Sequence, residues 1–297
     1  MAAGARARAG SHCLITARVL AALLALGSLL PGASVLSADP DSTSVHRQAE
    51  RQARQLSAAA GSVDVALANV NRLRARTPAS TPIDQLRQDL QLDQAGFAFR
   101  EAVRTEQAMV YVLAAHADLE AAEVPLLSVQ RATALSSVTD ALRAVWRLSE
   151  IDDFTLVHPR NNRRFLAAEP VEVLLGYYRA AASQTGVDWS YLAAINFIES
   201  DFGRTNGPST AGALGPMQFL PSTWTQYGRN GDIMSSRDAI PAAARLLVAN
   251  GAPANYDRAI LHYNRDLDYV QAVKSYAAAL RSDPAWLSRL HSWSTFG

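Results

Sequence analysis

From Val45 onward the apolar residues Ala49, Ala53, Leu56, Ala60, Val63, Leu67 and Val70 recur at intervals of three and four. That spacing builds one continuous stripe along a helix and cannot be laid on one face of a strand, where apolar residues must alternate. Thr77-Pro-Ala-Ser-Thr-Pro82 then stops the helix, since proline removes a donor and restricts the residue before it. A second helical stretch is predicted from about Ile83 to Leu119, and a third from the heptad spacing of Leu135, Val138, Leu142 and Val145. Residues 39–156 are therefore expected to form a helical hairpin or three-helix bundle. Nothing in them gathers acids, bases or a nucleophile, so they read as a structural or docking module whose seam could meet a protein partner.

Before this module, Arg6, Arg8 and Arg18 precede an uncharged run from Val19 to Leu36 that is broken by Pro31-Gly32. A basic start, an apolar stretch and small residues make residues 1–38 a signal peptide or a signal anchor. About 17 apolar residues is the lower limit for a spanning helix, and the Pro-Gly break favours cleavage over retention as a membrane anchor through residues 19–36. The chain is expected to be exported, to the cell envelope or beyond. The only cysteine, Cys13, lies ahead of the apolar run, so neither a lipid attachment after that run nor a disulfide is expected.

The whole chain has 28 basic and 27 acidic residues, and removal of the leader's three arginines would take its net charge from +1 to −2. Such a balance lacks the basic footprint of a nucleic-acid binder. The six histidines show no pair at i, i+3 or i, i+4, so no metal is expected. No motif for a nucleotide, flavin or other cofactor is present either.

His158-Pro-Arg-Asn-Asn-Arg-Arg164 collects turn formers and charge, and residues 157–166 are read as a linker. Short, well-punctuated helices follow. One is predicted over Val171–Thr185, ending at Gly186. A second is capped by Asp188 and ends at Gly203. Further helices start at Pro221 and at Asp238, and two more run from Tyr256 to Tyr263 and from Asp268 to Arg281. No period-2 run of β-branched residues occurs, so the fold is expected to be nearly all α. Residues 167–281 are taken as the chemical domain, and 282–297 as a tail.

The chemistry gathers around Ile195-Asn-Phe-Ile-Glu199-Ser200-Asp-Phe-Gly203. Glu199 stands on a partly apolar face, in a last helical turn where the macrodipole disfavours a carboxylate. Both influences favour its protonated form, and a carboxylic acid that keeps its proton can serve a leaving glycosidic oxygen. The competing reading is an ordinary helix-end glutamate that reaches solvent. Ser200 could orient the carboxyl. Gly212 and Gly215 would let a bulky polymer approach the following loop, where Gln218 offers a donor and an acceptor suited to amides and hydroxyls. Tyr263 and Asn264 could close another wall, although Tyr263 could equally be core.

These residues together carry a resemblance. Glu199-Ser200, then Ser209-Thr-Ala-Gly-Ala-Leu-Gly-Pro-Met-Gln-Phe-Leu-Pro-Ser-Thr-Trp224, then Gly231-Asp-Ile, then Tyr263-Asn264 resembles the catalytic domain of the soluble lytic transglycosylase family, over roughly residues 165–280. With Leu175-Gly-Tyr-Tyr-Arg and Gly186-Val-Asp-Trp189 it is similar, more narrowly, to actinobacterial exported transglycosylases. The resemblance implies a goose-type-lysozyme-like helical fold and peptidoglycan glycan strands as substrate. It implies Glu199 as sole catalytic acid/base supported by Ser200, with Ser209, Gln218 and Tyr263 lining the glycan cleft. Met217 and Asn264 fall in matching motifs and join Ser200 and those three as substrate-binding residues. Two positions depart from the pattern: Gly215-Pro216-Met217-Gln218 stands for Gly-Leu-Met-Gln, and Tyr263-Asn264-Arg265-Asp266 stands for Tyr-Asn-His-Ser.

Such enzymes cut between N-acetylmuramic acid and N-acetylglucosamine and leave a 1,6-anhydro ring. A hydrolytic muramidase would need a second acid. Asp201 lies about 200° round the helix from Glu199, so Asp232 is the better candidate. A wall-binding or scaffolding protein without catalysis is the alternative from another class.

Overall fold

The computed structural model describes residues 42–148 and 164–293. The leader and most of the 157–166 segment lie outside them. Two compact units divide the chain, one within Ala22–Ala132 and the other within Thr133–His291. Among the described residues no helix is long and apolar enough to cross a membrane.

In the first unit the 3/4 spacing becomes α1 (Ser42–Arg74), and a second long helix, α2 (Pro82–Ala115), packs against it. Ala53, Leu56, Ala60, Val63 and Val70 are buried as the periodicity requires. Pro82 occupies the first turn of α2, where a missing N–H costs nothing, and the Thr81 hydroxyl accepts from the Asp84 N–H at 3.1 Å. The stretch expected to run to Leu119 breaks at His116 and restarts as α3 (Ala117–Glu123), which folds back on α1. The next helix, α4 (Val129–Leu148), buries Leu135, Val138, Leu142 and Val145. The boundary between the units falls inside α4, and its Arg131 pairs with Asp64 of α1 at 2.8 Å.

The second unit is helical apart from a two-residue antiparallel pairing, β1 (Arg164–Phe165) with β2 (Thr205–Asn206). Too short to show any alternation, it left no sequence signal. Helix α5 (Val171–Thr185) ends at Gly186, whose φ of 76° satisfies a left-handed cap. Asp188 then caps α6 (Trp189–Ser200) by accepting from the Ser190 N–H at 2.9 Å. Every residue of α6 from Ser190 to Ser200 is buried. It is a central helix apolar on nearly all sides, wrapped by α5, by α8 (Ser236–Ala249) and by α10 (Leu267–Ser282).

Helix α6 stops three residues before the expected Gly203, because Asp201 and Phe202 already take φ of 54° and 59° before Gly203 at 82°. Helix α7 (Pro221–Tyr227) closes against Gly228, where a Cβ would come within 2.2 Å of the Trp224 ring. Helix α8 starts at Ser236 instead of Asp238. The Asp238 carboxylate sits in its first turn and accepts from the Asp232 N–H at 3.0 Å.

Helix α9 (Tyr256–Tyr263) lies between α8 and α10 in the chain and packs on both. Asp266 caps α10 by accepting from the Asp268 N–H at 2.8 Å. Aspartate and serine are comparable N-caps, so this departure from the Tyr-Asn-His-Ser pattern keeps the helix start. The stretch read as a tail contains α11 (Trp286–Ser292), with Trp286, Leu287 and Leu290 buried.

Candidate active site

Glu199 lies in the last turn of α6 and is 8 % exposed. Burial raises its carboxyl pKa from 4.5 to about 7, against a smaller lowering by the Tyr269 hydroxyl, which donates to Oε1 at 2.5 Å. The reading as a solvated helix-end glutamate is therefore overturned: the side chain points into the packed face toward α10. Burial, and next the neighbouring Glu199 carboxylate, hold the Tyr269 phenol well above its ordinary pKa. The phenol thus keeps its proton and is the donor of the pair.

Tyr269 was missed by sequence reasoning. It sits in the stripe Tyr269, Val270, Ala272, Val273 and Tyr276, all buried on α10, and a tyrosine in such a stripe reads as core. Its ring stacks on that of Tyr263 with centroids 6.4 Å apart. Removing its hydroxyl gives a direct test. Because the phenol supports the ionised carboxylate, Tyr269→Phe should raise the Glu199 pKa further. A hydrogen bond to a charged group is worth about 1.5–3 kcal/mol, or about one to two pH units. The alkaline limb of the activity profile should move up by that amount, and an unmoved limb would reduce Tyr269 to packing.

The loop after α6 closes into a tight hairpin through mutual hydrogen bonds of 2.9 Å between the Leu214 and Phe219 backbones. Its tip is Gly215-Pro216-Met217-Gln218. Gly215 has φ of 75° and a Cβ there would lie 1.9 Å from the Ile233 carbonyl oxygen, so only glycine fits. The tip is docked through two carbonyls. Pro216 O accepts from Ser200 Oγ at 2.5 Å and from Asn196 Nδ2 at 2.8 Å, while Met217 O accepts from Tyr263 Oη at 2.6 Å.

Several expected site residues change their role in this geometry. Ser200 is buried, and its hydroxyl bonds the hairpin and the chain after α6. It is 1 % exposed, donates to Pro216 O and accepts from the Gly203 N–H at 2.8 Å. Met217 is wholly buried, and its carbonyl accepts from Tyr263. Ser209 is partly exposed, and its Oγ accepts from the N–H groups of Ala213 at 3.0 Å and Ala211 at 3.2 Å, shaping the loop ahead of the hairpin.

Gln218, Tyr263 and Asn264 remain partly exposed. Gln218 holds a φ of 46°, rare for a residue with a side chain, and its Nε2 donates to Gly215 O at 2.9 Å. Tyr263 serves both readings left open for it: a partly exposed ring whose hydroxyl is tied into the hairpin. Asn264 follows α9 in extended conformation, its N–H on Ile260 O at 3.0 Å.

The two other acids stand apart from this arrangement. Asp232 is exposed, and its Oδ1 accepts from the Met234 N–H at 2.8 Å in a local turn. Asp201 is buried beyond the end of α6 and faces Arg204 at 3.4 Å. Neither is among the influences on the Glu199 pKa. Among the described residues no cluster of three or more His, Cys, Asp or Glu could hold a metal.

Residues 176–289 match the family model described as the transglycosylase SLT domain, a segment that runs from α5 into α11. No curated protein and no solved structure matches the chain at a significant level.

Proposed function

We propose that the chain, whose residues 176–289 match the transglycosylase SLT domain, acts on peptidoglycan as a lytic transglycosylase: it cleaves the β-1,4 bond between N-acetylmuramic acid and N-acetylglucosamine with Glu199 as its single acid/base and 1,6-anhydro-N-acetylmuramic acid as product. One observation carries the reading: a buried carboxyl with pKa near 7, raised by burial and hydrogen-bonded by a phenol.

Glycoside hydrolysis usually employs two carboxyl groups, one to protonate the leaving oxygen and one to activate water or attack. Glu199 can supply the first role. The substrate can supply the rest, since its 2-acetamido oxygen can stabilise the developing cation and its own C6 hydroxyl can attack the anomeric carbon. Attack within one held molecule reaches effective molarities on the order of 10⁵ M or more, so no water-activating base is required. Glu199 gives its proton to the leaving oxygen and regains one from the C6 hydroxyl. Atoms balance without water. Activity should fall as pH climbs through about 7, where the donor proton is lost.

Gln218, Tyr263, Asn264 and Ser209 are proposed to contact the glycan, because each keeps partly exposed surface: Gln218 is in the hairpin, Tyr263 bonds it, Asn264 follows Tyr263, and Ser209 shapes the loop ahead of it. Export through the leader is proposed as well, consistent with a substrate outside the cytoplasm. A protein partner for the first unit is supported by the outward apolar stripe Ile83, Leu86, Leu90 and Phe97 on α2.

Mass spectrometry of digested peptidoglycan tests the proposal. Muropeptides should carry anhydro ends, lighter by one water than reducing ends. Reducing ends alone would transfer the function to the muramidase reading with Asp232, and an inert wild type would favour the scaffold.

A further inference from the structure

Asn196 is wholly buried in α6, three residues before Glu199. A buried primary amide must find partners for its oxygen and both N–H groups or lose stability. Its Oδ1 accepts from Tyr178 Oη of α5 at 2.5 Å, and its Nδ2 donates to Pro216 O at 2.8 Å and to Ser200 Oγ at 3.3 Å. The orientation is forced, because the Pro216 carbonyl can only accept and so must face the amide nitrogen, which leaves the oxygen for the Tyr178 hydroxyl.

One polar chain thus runs from α5 through the acid-bearing helix to the tip of the hairpin. Two residues after Pro216 comes Gln218, at the left-handed φ of 46°. Such a conformation in a residue with a side chain persists only where its surroundings over-determine it. Here the surroundings are the Leu214–Phe219 closure and the two side-chain-held carbonyls. Asn196 and Glu199 share α6, so displacement of the hairpin from Asn196 is displacement from the acid.

We infer that Asn196, oriented by Tyr178, is a positioning residue that sets the Gly215–Gln218 tip against Glu199 and thereby fixes where a glycan chain of N-acetylated sugars is held. The inference rests on the reading of the site as a glycan-cutting centre. An asparagine that only stabilised the interior would leave substrate affinity alone once the protein is folded, whereas a positioning residue alters it.

The test uses the full chain with Asn196→Leu and, as the milder change that removes a single hydroxyl, Tyr178→Phe. At a temperature where circular dichroism shows each variant folded, KM on soluble peptidoglycan strands should rise about tenfold for Asn196→Leu and severalfold for Tyr178→Phe. The Kd for N-acetylchitotetraose should rise in parallel. The alkaline limb set by Glu199 should stay in place. Should Asn196→Leu fail to fold, the Tyr178→Phe figures decide. Wild-type KM and Kd in a folded variant would overturn the inference. If wild type binds the oligosaccharide but cuts nothing, the proposed reaction fails while the Kd comparison still judges Asn196. If wild type neither binds nor cuts, both fall.

Discussion

Glu199→Gln is expected to abolish lysis of peptidoglycan, by about 10³-fold or more, while making the protein more stable above neutral pH. The first effect is the loss of a general acid, whose contribution typically lies around 10²–10⁴-fold. The second follows from linkage. The carboxyl moves from 4.5 to about 7 on burial, so the folded state holds a proton that the unfolded state has released between those values. The stability associated with the neutral carboxyl is complete below pH 4.5 and is lost as pH rises through about 7. At pH 8 the penalty for a buried carboxylate is about 3 kcal/mol. Glutamine keeps an oxygen to accept from Tyr269 and carries no charge, so it escapes that penalty. Urea unfolding at pH 4 and pH 8 should therefore show near-equal stabilities at the acid end and a gain for the variant at the alkaline end. A pH-independent gap would mean that Glu199 is not held as described, and undiminished lysis would remove it from catalysis.

Gly215→Ala is expected to be the most damaging single-methyl change in the hairpin. Two independent penalties coincide there: the left-handed φ of 75°, and a Cβ 1.9 Å from the Ile233 oxygen and 2.9 Å from its carbon. Backbone contacts cannot be relieved by a rotamer change, so the loss should reach about 3 kcal/mol or more. Activity should drop further than stability, because relief of the clash moves Pro216 and Gln218. Gly212→Ala is the matched comparison. Its φ is 81° with nothing within 4 Å of the added methyl, leaving only conformational strain of about 1–2 kcal/mol. Equal thermal shifts for the two variants would show that the close approach of Ile233 is not what requires glycine at 215.

Much of the helical framework was legible because its signals are local. The three- and four-residue spacing of the seam from Ala53 to Val70, Pro82 in a first turn, Gly186 at a left-handed cap and Asp188 accepting from the Ser190 N–H each relate residues about one turn apart or less. At the end of α6 the boundary moved because residues did something their type permits but does not prefer: Asp201 and Phe202 take positive φ before Gly203. Asp266 shows the converse, since a departure from the family pattern leaves the N-cap intact.

For the site, the chain alone identified the acid and a loop shaped by glycines, because an ionisable group amid Ile195 and Ile198 and a glycine where the backbone must turn are unusual in themselves. Which polar atoms meet was decided by packing. The Tyr269 hydroxyl reaches Glu199 across 70 residues of sequence, and Ser200 and Asn196 reach Pro216 across 16 and 20. Periodicity says that a face is buried but not which atom of another element completes a hydrogen bond on it. That pairing depends on how helices stack and where a hairpin comes to rest, and so Ser200, read as a partner of the carboxyl, became a support of the loop, while a tyrosine with the pattern of core became the partner of the acid.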